Sequence, residues 1–495
     1  MIYIGEVSLK ILFVVADVFL SEPLGLMQLS AICKSNGWDT RLATIRRHNI
    51  LNIVNIYQPD IIAYSMMSPD VQKFKAVDRA ILENFQKGSA VPCRIMGGPH
   101  ASYFPDILRE MNLDAICIGE GDNAIVSIIE RYMDDDDFSG IPNVVCRTSQ
   151  DLDLKQKELI HNLDDLPFVD REIIFDAVPY YRHIQLKSFL TSRGCPYKCT
   201  YCHNSAFNKE FKGYGLICRR FSVDRVIEEI KYTQGKYPNL KLIRFGDDTF
   251  AHKVDPWLEI FADKYRKEIN IPFYCLMRSN AFSDDMARLL KEAGCVSLSM
   301  SIEHGDEEIR NTILKRGISN EKVQQSFEYA HKYGIKVQAN AMLGIPGTTI
   351  KDDFKTIEFI QKQKIYLPTI GIFCPFPGTE LTEYAIKIGA IDDAVDFSSH
   401  YQTKSLLKSY TEHEKMLQVN MMYLGMFFVL LPKWFNTTFK LLIRIPISKV
   451  YFLVTKLFLM IRFWGLFPKM VPYNPLVILK IFFDSVSYFK TKKVK

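Results

Sequence analysis

Three cysteines stand within eight residues near the middle of this chain, in the stretch RGCPYKCTYCHN. They are Cys195, Cys199 and Cys202, and their spacing is C-x3-C-x2-C. A disulfide framework favours an even number of cysteines, and a closed zinc site takes four ligands. Three thiolates hold a metal centre but leave one coordination position open, and an open position can take a reacting molecule. The motif therefore predicts a catalytic metal centre.

A structural zinc site is the alternative for these thiolates. It would need a fourth ligand, and His203 follows Cys202 directly, which gives it poor geometry for binding the same ion. The remaining cysteines are scattered along the chain, as is usual for small buried side chains in a reducing compartment. We therefore expect a cytoplasmic protein without disulfides.

Six strand-and-helix units within residues 186–395 position this motif. The predicted strands are KSFLTS, KLIRFGDD, PFYCLM, VSLSMSIEHG, KVQANAMLGIPG and TIGIFCPFPG, and the cysteines directly follow the first. Six units are too few for a complete eight-fold barrel, so we predict a partial (β/α)6 barrel.

Residues 1–150 form a separate predicted domain. Short apolar runs such as KILFVVA alternate with helical patterns, which is typical of a doubly wound parallel sheet in the α/β class. Ligands of such sheets bind at the carboxyl ends of the strands. A polar linker over residues 151–185 joins this domain to the barrel.

The cysteine motif, its place after the first strand and Tyr201 before the third cysteine resemble the radical S-adenosylmethionine (SAM) superfamily over residues 186–395. The resemblance implies a [4Fe–4S] cluster on three thiolates, with the fourth iron free to bind SAM. It also implies an electron donor such as flavodoxin or ferredoxin. The SAM contacts implied are Tyr201, Asp247, Ser301, Glu303, Gly344 and Pro346. For Arg278, after the third strand, a SAM or substrate contact and a structural ion pair both remain open.

The N-terminal domain resembles the cobalamin-binding domain that is fused to a subset of radical SAM enzymes. The first loop, ADVFLSEPLG, lacks the Asp-x-His-x-x-Gly motif that supplies a histidine below the cobalt. We therefore expect cobalamin without a lower histidine ligand; a domain that keeps the sheet but not the ligand is the alternative. The cobalamin contacts implied are Pro23, Gly25, Ser65, Gly97, Gly98, His100, Gly119 and Glu120.

The C-terminal region, residues 396–495, is aromatic, apolar and basic. Residues 419–495 carry twelve Lys or Arg and one acid, Asp484, so they account for +11 of a chain whose net charge is +6. This composition favours helices that lie on an anionic membrane surface, and it does not favour nucleic-acid binding. We expect a peripheral protein at the inner face of the membrane, with a hydrophobic or lipid substrate. A helical cap buried on the barrel or in a dimer, and a true membrane span, are the alternatives.

The resemblance implies a cobalamin-dependent radical SAM enzyme. Such an enzyme cleaves SAM reductively to a 5′-deoxyadenosyl radical and most often methylates an unactivated carbon. The overall pattern is closest to the branch with anaerobic magnesium-protoporphyrin cyclase and hopanoid-modifying enzymes, so oxidative cyclisation or rearrangement is an alternative reaction. A tRNA methylthiotransferase and a non-catalytic, membrane-tethered scaffold are further alternatives.

Overall fold

A computed structural model describes residues 8–18, 22–85, 90–392 and 404–468. The chain divides into two compact units. The first runs to Ile184 and also contains Phe211–Leu216, and the second contains Gln185–Glu210 and the described residues from Ile217 onward. The division of the chain into four parts stays a prediction.

The first unit alternates strands and helices, with apolar strands in its centre. Its strands are β1 (Lys10–Val15), β2 (Asp39–Thr44), β3 (Ile61–Ser65), β4 (Cys93–Gly97), β5 (Ala115–Cys117) and β6 (Val144–Cys146). Its helices are α1 (Leu24–Ser35), α2 (Ile50–Tyr57), α3 (Val71–Phe85), α4 (Pro99–Tyr103), α5 (Ile107–Glu110), α6 (Asp122–Met133) and α7 (Glu172–Ala177).

The strands of the first unit form one sheet in the order β2-β1-β3-β4-β5-β6. All neighbours pair in parallel except β5 and β6, which are antiparallel. Strands β1 and β3 are apolar and buried almost throughout because helices cover both faces of a doubly wound sheet. The prediction of a doubly wound parallel sheet is confirmed.

The second unit repeats this alternation. Its strands are β7 (Leu186–Phe189), β8 (Ser192–Arg193), β9 (Arg219–Arg220), β10 (Leu242–Phe245), β11 (Phe273–Met277), β12 (Cys295–Met300), β13 (Lys336–Leu343) and β14 (Leu367–Ile372). Its helices are α8 (His203–Glu210), α9 (Val223–Lys236), α10 (Pro256–Glu268), α11 (Asp284–Ala293), α12 (Glu307–Thr312), α13 (Asn320–Lys332), α14 (Ile350–Lys362), α15 (Glu380–Lys387), α16 (Glu412–Phe428), α17 (Asn436–Leu442) and α18 (Ser448–Leu466).

Six strands of the second unit form a sheet in the order β14-β13-β12-β11-β10-β7, and every pair is parallel. This confirms the predicted partial barrel. Short strands β8 and β9 pair antiparallel outside the sheet, with Ser192 opposite Arg220 and Arg193 opposite Arg219. Because β8 ends just before the first cysteine of the motif, this pairing fixes the entry to the metal-binding loop.

Helix α16 packs against β14 and α14 of the barrel. Its polar side chains Gln418 and Asn420 are fully buried, and both are hydrogen-bonded. Gln418 donates to Asp353 at 2.8 Å, and Asn420 donates to the carbonyl of Ile443 at 2.7 Å. The interfacial position expected for this segment is therefore wrong: the segment is a buried cap, because its polar groups find partners inside the protein.

The end of α18 closes the amino ends of the barrel strands. Ser297, in β12, donates to the carbonyl of Leu466 at 2.6 Å, and the ring of Phe467 lies 4.7 Å from that of Tyr274 in β11. None of the helices among the described residues is long and apolar enough to span a bilayer. The remainder of the basic C-terminal region, from residue 469 onward, lies outside the described residues.

Candidate active site

The cysteine loop leaves β8 through a glycine that no other residue can replace without strain. Gly194 has φ +87°, and a Cβ there would lie 2.2 Å from the carbonyl oxygen of Ile217. Further along, the hydroxyl of Thr200 donates to the carbonyl of Ile313 at 2.7 Å. The carbonyl of Thr200 accepts from the backbone of Leu381 at 2.8 Å. Thr200, between the second and third cysteines, thus ties the loop to the end of α12 and to the start of α15.

The three thiols lie within electrostatic range of one another and of Asp248. Cys199 is buried, whereas Cys195 and Cys202 are partly exposed. Burial raises the pKa of Cys195, and raises that of Cys202 to about 11. These thiols are therefore protonated at neutral pH, and metal binding must release their protons.

This donor set fits a cubane better than a single ion. Among the described residues no three His, Cys, Asp or Glu side chains converge on one metal-ion position. A [4Fe–4S] cluster takes one thiolate per iron, so its ligands need not converge in that way. Three soft thiolates on one loop match that requirement, and the fourth iron keeps an open position.

Arg278 is buried beside the second cysteine. It follows β11, and its Nη1 donates to Cys199 Sγ at 3.0 Å. Its guanidinium carbon lies 4.0 Å from the ring centre of Tyr197, which belongs to the cysteine loop. Its Nη2 donates to the backbone carbonyl of Arg316. The sequence left open a SAM or substrate contact and a structural ion pair for Arg278. A contact with a predicted cluster ligand was not among these alternatives.

A second network of hydrogen bonds lies next to the loop, with Arg316 at its centre. Tyr201 donates its hydroxyl hydrogen to Glu303 Oε1 at 3.1 Å, and Arg316 donates to the Tyr201 oxygen. Arg316 also lies 3.3 Å from Glu303 Oε1 and donates to the Ser301 carbonyl at 2.8 Å. The Ser301 hydroxyl accepts from Asn340 at 3.1 Å. Three of the predicted SAM contacts therefore lie together at the end of β12.

Asp247 is 1% exposed and ties two strand ends together. Its Oδ1 accepts from the Thr191 backbone at 2.9 Å, the Thr191 hydroxyl at 3.0 Å and the Ser192 hydroxyl at 2.6 Å. Its Oδ2 has no hydrogen-bond partner among the described residues. Burial raises its pKa to about 6 despite these bonds. A buried acceptor without a partner is costly, which makes this oxygen a candidate for a bond to a group that the polypeptide does not supply.

The predicted adenine-contacting turn follows β13. Gly344 donates its N–H to Asp353 Oδ1 at 2.8 Å, and the same carboxylate accepts from Gln418. Burial raises the pKa of Asp353 to about 7. Pro346 is buried two residues further on. The conformation of this turn is therefore fixed by a buried contact with the C-terminal cap.

In the first unit, the ends of β3 and β4 come very close. Gly98 has φ +91°, and a Cβ there would lie 3.1 Å from the Met66 carbonyl and 3.3 Å from Ser65 Oγ. A Cβ on Gly97 would meet nothing closer than Cys117 Cβ at 4.0 Å. The absence of a side chain at Gly98 therefore lets the ends of β3 and β4 pack closely, and a cobalamin contact at Ser65, Gly97 or Gly98 stays a prediction.

His100 lies at the start of α4, two residues after Gly98. Its Nδ1 is 3.0 Å from Ser68 Oγ, and its ring stacks on Phe104 with 4.6 Å between the ring centres. Burial lowers its pKa to about 4, so the imidazole is neutral at pH 7. At the start of α1, Pro23 precedes the helix and Gly25 is exposed with open space around it.

Gly119 and Glu120 have structural partners within the first unit. The ring of Phe211 lies 2.3 Å from the position that a Cβ on Gly119 would take. Glu120 Oε2 accepts from the backbone of Ile160 at 2.9 Å. These contacts account for the glycine and the carboxylate without a ligand, and a cobalamin contact at either residue stays a prediction.

Sequence reasoning missed Arg316, which joins three predicted SAM contacts. It follows α12 in a loop and is separated from Tyr201 by 115 positions. An arginine in the segment LKRGIS carries no spacing signal that would link it to the cysteine motif. Only the folded barrel brings it to the strand ends.

Comparisons with known proteins identify a known domain in each of the two units. The radical SAM superfamily model matches residues 189–360, and the B12 binding domain model matches residues 12–129. An uncharacterized methyltransferase of Pyrococcus horikoshii is 27% identical, over 78% of this chain and 86% of its own length. The hopanoid C-3 methylase of Methylococcus capsulatus is 26% identical, over 72% of this chain and 68% of its own length.

Among solved structures, the radical SAM methyltransferase TsrM of Kitasatospora setae, with tryptophan and a SAM analogue bound, has a TM-score of 0.61. It is 16% identical and covers 78% of this chain and 77% of its own, so the likeness shows a shared fold. The two matched domains confirm the predicted cofactor set of a [4Fe–4S] cluster, SAM and cobalamin. They do not favour the scaffold alternative. The chain therefore combines a B12-binding domain with a radical SAM domain.

Proposed function

We propose that this protein transfers a methyl group from SAM to an unactivated carbon of a hydrophobic substrate. One observation carries the proposal: a loop with three cysteines in a radical SAM domain and a B12-binding domain occur in one chain. The cluster supplies the electron for reductive cleavage of SAM, and cobalamin supplies the methyl group. Relatives named as methyltransferases support methylation over cyclisation or rearrangement.

Within the barrel, the side chains have separate roles in holding SAM. The free Oδ2 of Asp247 accepts a hydrogen bond from a cationic group such as the SAM ammonium. Arg316 holds Tyr201 and Glu303 in fixed orientations, so that no side-chain freedom is lost when SAM binds. Gly344 and Pro346 present backbone to the adenine.

Within the first unit, Ser65, Gly97 and Gly98, at the ends of β3 and β4, contact the nucleotide tail. His100 follows them as a neutral hydrogen-bonding group, because its pKa lies far below 7. Pro23 and Gly25 at the start of α1, and Gly119 and Glu120 after β5, complete the proposed set. Electrons come from a small one-electron carrier such as flavodoxin or ferredoxin.

Methyl transfer is tested with SAM that carries a deuterated methyl group. The reconstituted enzyme is incubated with this SAM, a reductant and a lipid extract of the host, and the extract is then analysed by mass spectrometry. We expect a hydrophobic compound that has gained the labelled methyl group. If labelled methyl appears only in the water-soluble fraction, the hydrophobic substrate is excluded while methyl transfer stands.

The partner that we propose for the C-terminal region is an anionic membrane surface. Helix α18 exposes an apolar row at helical spacing: Val450, Leu453, Leu457, Ile461 and Trp464 are 42% or more exposed, with Leu453 at 69%. Residues 415–468 contain seven Lys or Arg and no Asp or Glu. Apolar side chains with only basic neighbours match the acyl boundary and anionic headgroups of a cytoplasmic leaflet.

Within the described residues 404–468, the proposed membrane-binding surface is limited to one helix, α18. The buried cap α16 cannot take part, whereas the exposed row of α18 spans four turns of helix. A peripheral position at the inner face of the membrane would bring the enzyme to a substrate dissolved in the bilayer.

Vesicle co-sedimentation tests this surface. We expect full-length protein to sediment with anionic vesicles but not with neutral ones, and Leu457→Glu to lose most of this binding. The matched control is Ile56→Glu, since Ile56 is also exposed, at 70%, but lies on α2 of the first unit. Equal sedimentation of wild type and Leu457→Glu would contradict membrane binding by α18. A wild-type dimer that Leu457→Glu dissociates would also contradict it, because the exposed row would then be a dimer interface.

A further inference from the structure

The charge of Arg278 has no carboxylate partner among the described residues. Its side chain is 6% exposed, and its hydrogen bonds go to the sulfur of Cys199 and the carbonyl of Arg316. No salt bridge to it occurs in the described part of the chain, although many other arginines there have one. A buried cation without an anion is destabilised because its charge is desolvated. The group that Arg278 contacts, the sulfur of Cys199, is therefore the place where a negative charge would be stabilised.

The surroundings fix Arg278 where it is. The face of Tyr197 lies against the guanidinium, with 4.0 Å between the ring centre and the guanidinium carbon. The Arg316 carbonyl holds Nη2, and this leaves Nη1 directed at Cys199. A planar guanidinium held on two sides loses little entropy when it donates a third bond. Its direction toward the sulfur is thus built into the fold.

An anionic iron–sulfur cluster on Cys199 would supply the missing charge. Net charge and hydrogen bonds to the sulfurs are among the factors that set the reduction potential of such a cluster. One-electron reduction adds a negative charge at the cluster, and a cation 3 Å from a ligand sulfur stabilises the reduced form more than the oxidised form. Asp248, near Cys195 and Cys202, acts in the opposite direction.

We propose that Arg278 sets the reduction potential of the cluster, by its charge and its N–H···S bond to Cys199. The electron comes from the external one-electron carrier and goes to the cluster, and Arg278 itself gains and loses nothing. The effect is to make this electron transfer more favourable than it would be beside a neutral residue. The inference rests on the proposed function, because it requires the cluster on the three cysteines.

The test is a redox titration of the reconstituted cluster in the absence of SAM. Electron paramagnetic resonance measures the fraction of reduced cluster at each potential. Two variants separate charge from hydrogen bonding: Arg278→Lys keeps the charge, and Arg278→Gln keeps a donor without the charge. We expect the midpoint potential of Arg278→Gln to lie well below that of wild type, with Arg278→Lys between them. Arg288→Gln, an exposed arginine on α11, is the matched control and should leave the potential unchanged.

Equal midpoint potentials of Arg278→Gln and Arg278→Lys would overturn the inference. Iron content and the far-ultraviolet circular dichroism spectrum are measured for each variant. If Arg278→Gln binds no cluster, Arg278→Met replaces it as the neutral variant, and the same comparison with Arg278→Lys decides. Wild type that binds no iron would contradict the proposed function itself, which is a different result from a cluster whose potential does not respond to residue 278.

Discussion

Replacing Cys199 with alanine should reduce 5′-deoxyadenosine formation to the background level. Cys199 is the most buried of the three cysteines and the one that Arg278 contacts, so its loss removes a ligand that water cannot easily replace. Two thiolates do not hold a cubane with a single open iron. The measurement is chromatographic quantification of 5′-deoxyadenosine after anaerobic incubation with SAM and dithionite.

The control for this variant is Cys218→Ser, since Cys218 is an exposed cysteine outside the motif. It should keep the iron content and the cleavage activity of wild type. Circular dichroism should show that Cys199→Ala remains folded. Wild-type rates of SAM cleavage in the Cys199→Ala protein would contradict the assignment of the cluster to this loop.

Replacing Gly98 with valine should abolish retention of cobalamin while leaving iron content unchanged. A side chain at φ +91° is strained by about 1–2 kcal/mol, and its Cβ would also press on the Met66 carbonyl and Ser65 Oγ. Because the new side chain would displace the chain at the proposed cobalamin contacts Ser65 and Gly98, we expect cobalamin affinity to fall at least about tenfold, or about 1.4 kcal/mol, so that none is retained on gel filtration. The cofactor content is measured by absorption after gel filtration with excess cobalamin.

Gly140→Val is the matched control. Gly140 also has a positive φ, +77°, and belongs to the first unit, but a Cβ there meets no atom within 4 Å. It also places a side chain at a positive φ, but without pressing on a neighbouring atom. Equal cobalamin content in Gly98→Val and wild type would show that the ends of β3 and β4 do not hold the cofactor.

The central strands of both sheets could be predicted from sequence because they are buried on both faces. KILFVV and FYCLM are nearly continuous apolar runs, and parallel packing between helices requires such runs. Strand β2, DTRLAT, was not predicted, because its exposed first half carries polar residues. Strand β6 was missed as well, since three residues give no periodic signal.

Sequence reasoning could name side chains at strand ends, but not which partners their atoms would take. It proposed Asp247 as a ligand contact, whereas the structure uses one of its oxygens to join Thr191 and Ser192. It proposed Tyr201 and Glu303 separately, and their connection through Arg316 depends on tertiary folding. The apolar segment of α16 misled the membrane prediction, because composition does not reveal that Gln418 finds a buried acceptor.

The fate of SAM tests the central claim most directly. Wild-type protein with a reconstituted cluster is incubated with SAM and reductant, with and without bound cobalamin, and two products are quantified: 5′-deoxyadenosine and S-adenosylhomocysteine. We predict 5′-deoxyadenosine in both samples, and S-adenosylhomocysteine only in the sample with cobalamin, in an amount at least stoichiometric with that cofactor. Protein that retains no cobalamin and forms 5′-deoxyadenosine as its sole product would contradict cobalamin-dependent methyl transfer.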